Sequence, residues 1–136
     1  MSSPAGTGAR ADYGAIVLQS FGGPNGPDDV MGFLQNVTRG RNVPSDRLAT
    51  VAEQYALFGG KSPINELNLQ LIDALGVELA DRGIDIPIHY ANRNWQPYLR
   101  NTIGQLAADG ISPVLAVATS AYSGFSSCRQ YLLDIE

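Results

Sequence analysis

The chain has 136 residues, 44% of them hydrophobic, which is the size of one small globular domain with a sizeable buried core. The formal net charge of −4 and the lack of any Lys or Arg run argue against a nucleic-acid-binding protein. No stretch approaches the length of a membrane span, and the single cysteine cannot form an internal disulfide. These features predict a cytoplasmic protein without a membrane span.

The first half of the chain predicts one strand followed by two helices. Residues 1–11 are small and polar without an apolar core, so we expect a disordered leader rather than a signal peptide. Residues 13–19 predict a buried strand. Asp28 and Asp29 favour a helix start, and Pro44 begins a second helix. The apolar residues at helical spacing are Val30, Phe33, Leu34 and Val37 in the first helix and Leu48, Val51, Ala52 and Tyr55 in the second.

The second half continues the alternation of helices and strands. Ser62 and Pro63 suit the start of a third helix, which we expect to end near Arg82, before Gly83. Further elements are predicted as a strand at 84–91, a helix at 97–108, a strand at 114–118, a loop at 119–127 and a helix from 128. This order predicts an α/β domain with a parallel sheet flanked by helices. The last helical pattern has no cap or breaker, so we expect residues 12–136 to be an incomplete domain.

Two loops rich in glycine and proline are the candidate ligand-binding segments. One spans residues 20–29, directly after the first strand, and the other spans residues 58–64. Open α/β proteins place ligand crevices where a strand meets such a turn, because glycine lets a ligand approach the backbone closely. Neither loop carries the GxGxxG or GK[ST] pattern of nucleotide-binding proteins. A generic ligand-binding or phosphate-binding α/β domain is one open interpretation.

Four motifs, found in order along the chain, resemble the N-terminal part of ferrochelatase, most closely the actinobacterial type that acts on coproporphyrin. The resemblance covers about residues 13–136. It implies the first lobe of a two-lobed fold with a porphyrin cleft between the lobes. It also implies an enzyme of heme biosynthesis, a lyase that inserts Fe²⁺ into coproporphyrin III or protoporphyrin IX. The motifs are LQSFGGPNGPDDVMGFLQNVTRGR, QYALFGGKSPINELN, YANRNWQPYL and TSAYSGFSSCRQY.

The same resemblance implies which residues contact the porphyrin. Arg39 and Tyr131 would contact propionates or the ring edge, and Ser62 would line the cleft. Phe21 stands where some members place an axial tyrosine, and since phenylalanine cannot ligate a metal, we expect it to pack on the ring face. The expected porphyrin-binding residues are Phe21, Arg39, Tyr55, Ser62, Arg93 and Tyr131.

The resemblance places the metal-inserting histidine and its opposing glutamate in the second lobe. We therefore expect no catalytic residue here and a need for a C-terminal lobe, in cis or in trans. His89 does not match the catalytic histidine, and its place inside a predicted strand favours a structural role. Cys128 matches the region of one ligand of the [2Fe-2S] cluster in actinobacterial relatives, but one cysteine cannot hold a cluster by itself. A non-catalytic porphyrin-binding half-protein is the alternative function.

Overall fold

The computed structural model describes residues 12–120 and 129–136. The predicted leader at 1–11 and Cys128 therefore lie outside the described residues, as does most of the predicted loop at 119–127. Among the described helices, none combines the length and the apolar character that crossing a membrane requires. The elements are β1 (Ala15–Ser20), α1 (Pro27–Val37), α2 (Ser45–Ala56), α3 (Ile64–Asp81), β2 (Ile88–Asn92), α4 (Leu99–Ala108), β3 (Val114–Ala118) and α5 (Gln130–Ile135).

The three strands in the described part of the chain form a parallel sheet in the order β2-β1-β3, which confirms the predicted α/β class. Side chains alternate between the two faces of a strand. Val17 accordingly packs in one core cluster with Leu99 and Leu106 of α4. Ser20, an odd number of residues further along β1, meets Asn68 of α3. Helices α3 and α4 therefore cover opposite faces of the sheet.

Helices α1 and α2 pack through the apolar faces that their sequence pattern predicted. Phe33, which is 3% exposed, is the centre of this contact. Its ring meets those of Phe21, Tyr55 and Trp95 edge-on, with centroids 6.1, 6.3 and 6.5 Å apart. Each such pair contributes about 0.5–1.5 kcal/mol beyond the burial of its surface. Phe33 therefore joins the loop after β1, helix α2 and the segment after β2.

Helix α3 ends at Asp81, close to the predicted end, but it buries polar residues. Asn65 and Asn68 are buried, whereas Leu67 is 57% exposed. The amide of Asn68 donates to Ser20 Oγ at 2.8 Å, and that of Asn65 donates to the carbonyl of Gly23 at 2.7 Å. Buried amides are stable only when hydrogen-bonded. These bonds fasten the glycine loop after β1 to α3.

Two element starts differ from the prediction. Strand β2 begins at Ile88 rather than at residue 84, because Pro87 has no N–H to pair. Only the carbonyl of Pro87 joins the sheet, accepting from the Ile16 N–H at 2.9 Å. Helix α3 begins at Ile64, and Ser62 does not cap it in the usual way. The Ser62 hydroxyl accepts only a long bond of 3.4 Å from the N–H of Ile64.

Candidate functional site

A cavity of about 970 Å³ lies where β1 and β2 end. The carboxyl ends of parallel strands are where open α/β sheets hold their ligands. Side chains from the end of α1, the segments after β1 and β2, the start of α4 and helix α5 converge there. The lining residues that the following argument uses are Phe21, Asn36, Arg39, Arg41, Asn92, Arg93, Tyr98, Arg100 and Asp134.

The cavity concentrates positive charge in an acidic chain. Arg39, Arg41, Arg93 and Arg100 line it, so it holds four of the nine Lys and Arg residues of a chain whose net charge is −4. Among the described residues that line it, Asp134 is the only carboxylate. Guanidinium groups present a planar fork of donors that fits carboxylates and phosphates. The cavity is therefore suited to an anionic ligand.

Asn36 fixes the position of Arg39. Its amide nitrogen donates to the hydroxyl of Tyr98 at 2.8 Å and to the carbonyl of Asn94 at 3.1 Å. Its amide oxygen accepts from Arg39 Nη2 at 3.1 Å. Since both ends of the amide are engaged, Asn36 ties the end of α1 to the segment after β2. The sequence analysis missed Asn36, because an asparagine one helical turn before an arginine is a weak signal.

Phe21 supplies an apolar surface beside the guanidinium groups. Its side chain is 39% exposed although it directly follows the buried strand β1. The carbonyl of Phe21 accepts from the N–H of Asn94 at 3.1 Å, and its ring leans edge-on against Phe33. An exposed ring held in this way can pack against the face of a flat ligand.

Asn92 is a polar residue of the cavity that the sequence analysis also missed. It is fully buried at the end of β2, and its amide nitrogen donates to the carbonyl of Gln96 at 3.2 Å. Its Oδ1 has no hydrogen-bond partner among the described residues. A buried acceptor without a partner is costly. Asn92 therefore belongs to the buried wall behind the cavity, where its amide nitrogen holds the segment after β2.

The structure brings three of the six expected porphyrin-binding residues into this cavity. Arg41, which the sequence did not single out as a ligand, joins them, as does Arg100 from the start of α4. An isolated arginine on a helix is usually a solvated side chain, so no feature of the sequence singles out Arg100. The three expected residues that line the cavity are Phe21, Arg39 and Arg93.

Ser62 and Tyr55 do not line the cavity. Ser62 lies against the glycine loop, where its N–H donates to the carbonyl of Pro24 at 2.9 Å. A Cβ placed on Gly23 would be only 2.7 Å from the Cβ of Ser62, so the two loops touch closely. Tyr55 packs on Phe33 within the contact between α1 and α2. Direct contact of these two residues with a porphyrin stays a prediction.

Tyr131 lies beside the cavity on α5. It is 7% exposed, and its backbone carbonyl accepts from Gln19 Nε2 at 3.3 Å, which anchors α5 on β1. Burial raises the pKa of its phenol above the ordinary value of 10.0. The charge of Arg93 opposes this rise and that of Asp134 adds to it. Both charges therefore act on the phenol of Tyr131.

The raised pKa of Tyr131 predicts a loss of stability at high pH. Above pH 10.0 the unfolded phenol loses its proton while the folded one keeps it. The free energy of unfolding therefore falls with rising pH until the folded phenol also deprotonates. Urea unfolding from about pH 9 to about pH 11 is expected to show a larger loss in the unsubstituted chain than in Tyr131→Phe. Tyr13→Phe is the control, and equal losses in the unsubstituted chain and Tyr131→Phe would contradict the prediction.

The contacts of His89 and Trp95 favour a structural role for both side chains. His89 is half-buried on β2 and pairs in register with Val17 of β1. Trp95 packs on the buried cluster of α1. Within residues 12–120 and 129–136, no group of three or more His, Cys, Asp or Glu side chains could hold a metal ion. The prediction that Cys128 ligates a cluster falls outside these residues and stays a prediction.

Comparison with known proteins identifies the family. A coproporphyrin III ferrochelatase of Streptomyces coelicolor is 54% identical over 88% of this chain and 32% of its own length. Those of Nocardia farcinica and Leifsonia xyli subsp. xyli are 52% and 55% identical over 90% of this chain. They are matched over 35% and 31% of their lengths, so the chain spans about a third of these relatives. The sequence pattern of the ferrochelatase family matches residues 13–136, and the chain therefore belongs to that family.

Proposed function

We propose that this chain forms one wall of a porphyrin cleft in an enzyme of heme biosynthesis that inserts Fe²⁺ into coproporphyrin III. The relatives described above are coproporphyrin III ferrochelatases, and the chain corresponds to about a third of their length. The observation that carries the proposal is the cavity in which an exposed Phe21 ring adjoins four arginines.

The chemistry of a porphyrin fits this cavity. A porphyrin has a flat apolar ring with carboxylates at its edge, so it needs an apolar surface beside cationic donors. Phe21 would pack on the ring face, while Arg39 and Arg93 would bind propionates through charge-assisted hydrogen bonds. Coproporphyrin III carries more propionates than protoporphyrin IX, which bears vinyl groups at the corresponding positions. The number of guanidinium groups in the cavity favours the ligand with more carboxylates.

In this proposal the chain binds and orients the macrocycle. Metal insertion requires the ring to bend and the pyrrole nitrogens to lose their protons, which a rigid apolar wall assists by holding a distorted ring. The resemblance assigns the proton-accepting and metal-inserting groups to the second lobe, outside this chain. It also suggests Cys128 as one ligand of a [2Fe-2S] cluster completed elsewhere in the enzyme, and no step of the reaction is assigned to that cluster.

Titration of the chain with coproporphyrin III, followed by its Soret absorption band, tests the binding half of the proposal. We expect saturable binding by the unsubstituted chain and much weaker binding of the tetramethyl ester, whose carboxylates are blocked. Binding of a nucleotide without binding of the porphyrin would instead support a generic phosphate-binding domain. Equal affinity for the acid and the ester would contradict the role of the arginines.

A chimera tests the catalytic half. The aligned part of this chain would replace the matched segment of the Streptomyces coelicolor relative, to which it is 54% identical. We expect the chimera to insert Fe²⁺ into coproporphyrin III. A folded chimera that binds the porphyrin but inserts no iron, beside an active parent enzyme, would favour a non-catalytic porphyrin-binding module.

A further inference from the structure

Helix α5 places a carboxylate against an arginine of the cavity. Arg93 Nε lies 3.4 Å from Asp134 Oδ2, and the two side chains are only 27% and 23% exposed. The other oxygen of Asp134 accepts from Gln130 Nε2 at 3.2 Å, one turn earlier on the same helix. Both oxygens of the carboxylate are therefore engaged, which fixes its orientation toward Arg93.

Both partners of this pair are anchored to β1. The N–H of Arg93 donates to the carbonyl of Ser20 at 2.9 Å. On the other side, Gln19 holds the backbone of the buried Tyr131, which is one helical turn before Asp134. The distance between guanidinium and carboxylate is thus set by neighbouring residues of one strand rather than by flexible loops. An ion pair held by such a frame loses little side-chain entropy when it forms.

The 3.4 Å contact of the pair is made at the Nε edge of the guanidinium. The contact of Asp134 is with Nε of Arg93, which leaves the two terminal nitrogens as the groups to which no contact with Asp134 is assigned. These terminal nitrogens form the fork that binds a carboxylate through two parallel hydrogen bonds. On charge alone, a carboxylate in an anion-binding cavity should weaken binding. Because the contact of Asp134 is with Nε, this carboxylate can orient the two terminal nitrogens of Arg93 and leave them for the ligand.

We propose that Asp134 is a positioning residue, which orients the terminal nitrogens of Arg93 toward a carboxylate of the ligand. The identity of that ligand as a porphyrin propionate rests on the proposed function. The orientation of Arg93 by Asp134 does not, since it follows from the contacts of the chain itself. The two parts can therefore be tested separately.

The first experiment needs no ligand. In ¹H–¹⁵N spectra of the chain, the Nε proton of Arg93 is expected to exchange slowly with water because the half-buried carboxylate of Asp134 lies 3.4 Å from Nε. Asp134→Asn should make this exchange markedly faster, whereas Glu136→Gln, at the exposed end of the same helix, should leave it unchanged. Fast exchange in the unsubstituted chain, or slow exchange in Asp134→Asn, would overturn the proposal.

The second experiment measures coproporphyrin III binding by the same variants. Asp134→Asn removes a negative charge from the cavity, which by itself would strengthen the binding of an anion. We nevertheless expect a Kd raised about three- to tenfold, because the terminal nitrogens of Arg93 are no longer held in position. Asp134→Glu should recover part of the affinity. In an Arg93→Ala background, Asp134→Asn should have no further effect. Tighter or unchanged binding by Asp134→Asn would overturn the proposal, while failure of the unsubstituted chain to bind would refute the porphyrin assignment and leave the exchange result standing.

Discussion

Alanine at Gly60 is expected to lower the free energy of unfolding by about 3–4 kcal/mol. Gly60 has a φ of 69°, and a Cβ there would be 2.6 Å from Cα and 2.7 Å from N of Pro27. Those atoms belong to the backbone at the start of α1, so a side-chain rotation cannot relieve the clash. Residue 60 must therefore shift, and the contact between the loop at 58–64 and the loop at 20–29 must open.

Gly59 provides a matched control for this substitution. Its φ is 74°, close to that of Gly60, but no atom lies within 4 Å of its Cβ position. Gly59→Ala should therefore cost only the strain of the left-handed backbone, about 1–2 kcal/mol. Urea unfolding followed by the fluorescence of Trp95, the single tryptophan, measures both variants. Equal losses in the two variants would show that the approach to Pro27 does not limit stability.

The same contact matters for the candidate site. Beside Gly60, the N–H of Ser62 donates to the carbonyl of Pro24, and Lys61 bridges to Asn25. Gly60→Ala should consequently move Ser62 away from the glycine loop, which also carries Phe21. A Gly60→Ala chain that still folds is therefore expected to bind coproporphyrin III more weakly than Gly59→Ala.

Hydrophobic periodicity was sufficient to predict α1 and α2, and the order of helices and strands was sufficient to predict the parallel sheet. In α1 the spacing of Val30, Phe33 and Leu34 describes one face, and the structure buries that face. Periodicity does not indicate the orientation of α3, where Asn65 and Asn68 are buried and Leu67 is exposed. The reason is that α3 faces the polar ends of β1 and β2, where amides find partners that a pattern of leucines does not reveal.

The candidate site was predicted in part, and for a physical reason. Phe21 and Arg93 directly follow strands, so the topology alone places them at the ligand-binding edge of the sheet. Arg100 and Asp134 belong to helices, and only the packing of α4 and α5 brings them to the cavity. No spacing in the sequence encodes the distance between Asp134 and Arg93, because the two residues meet through separate anchors on β1.

Loss of both Arg39 and Arg93 is expected to have the largest effect on ligand binding. Each charge-assisted hydrogen bond to a carboxylate contributes about 1.5–3 kcal/mol. The double substitution Arg39→Ala with Arg93→Ala should therefore raise the Kd for coproporphyrin III about 100-fold or more. Soret titration measures this change, and circular dichroism checks that the variant is folded.

The control removes the same charge from outside the cavity. Arg47 is exposed on α2, and Arg82 pairs with Glu78 on the exposed side of α3. Arg47→Ala with Arg82→Ala changes the net charge by the same amount. Salt screens the effect of exposed charges that do not line the cavity. We expect its Kd to rise less than about threefold. If both double variants weaken binding equally, the effect is one of net charge, and the cavity is not the carboxylate site.

The single substitutions then show how the two arginines share the ligand. Arg39, after α1, contacts Asn36, and Arg93, after β2, contacts Asp134 of α5. Different neighbouring residues therefore position the two guanidinium groups. If they bind different propionates, the losses in binding free energy for Arg39→Ala and Arg93→Ala should add in the double variant. A total well short of additive would mean that both guanidinium groups bind one shared carboxylate. We expect additivity, because independent anchors allow each arginine to bind without rearranging the other.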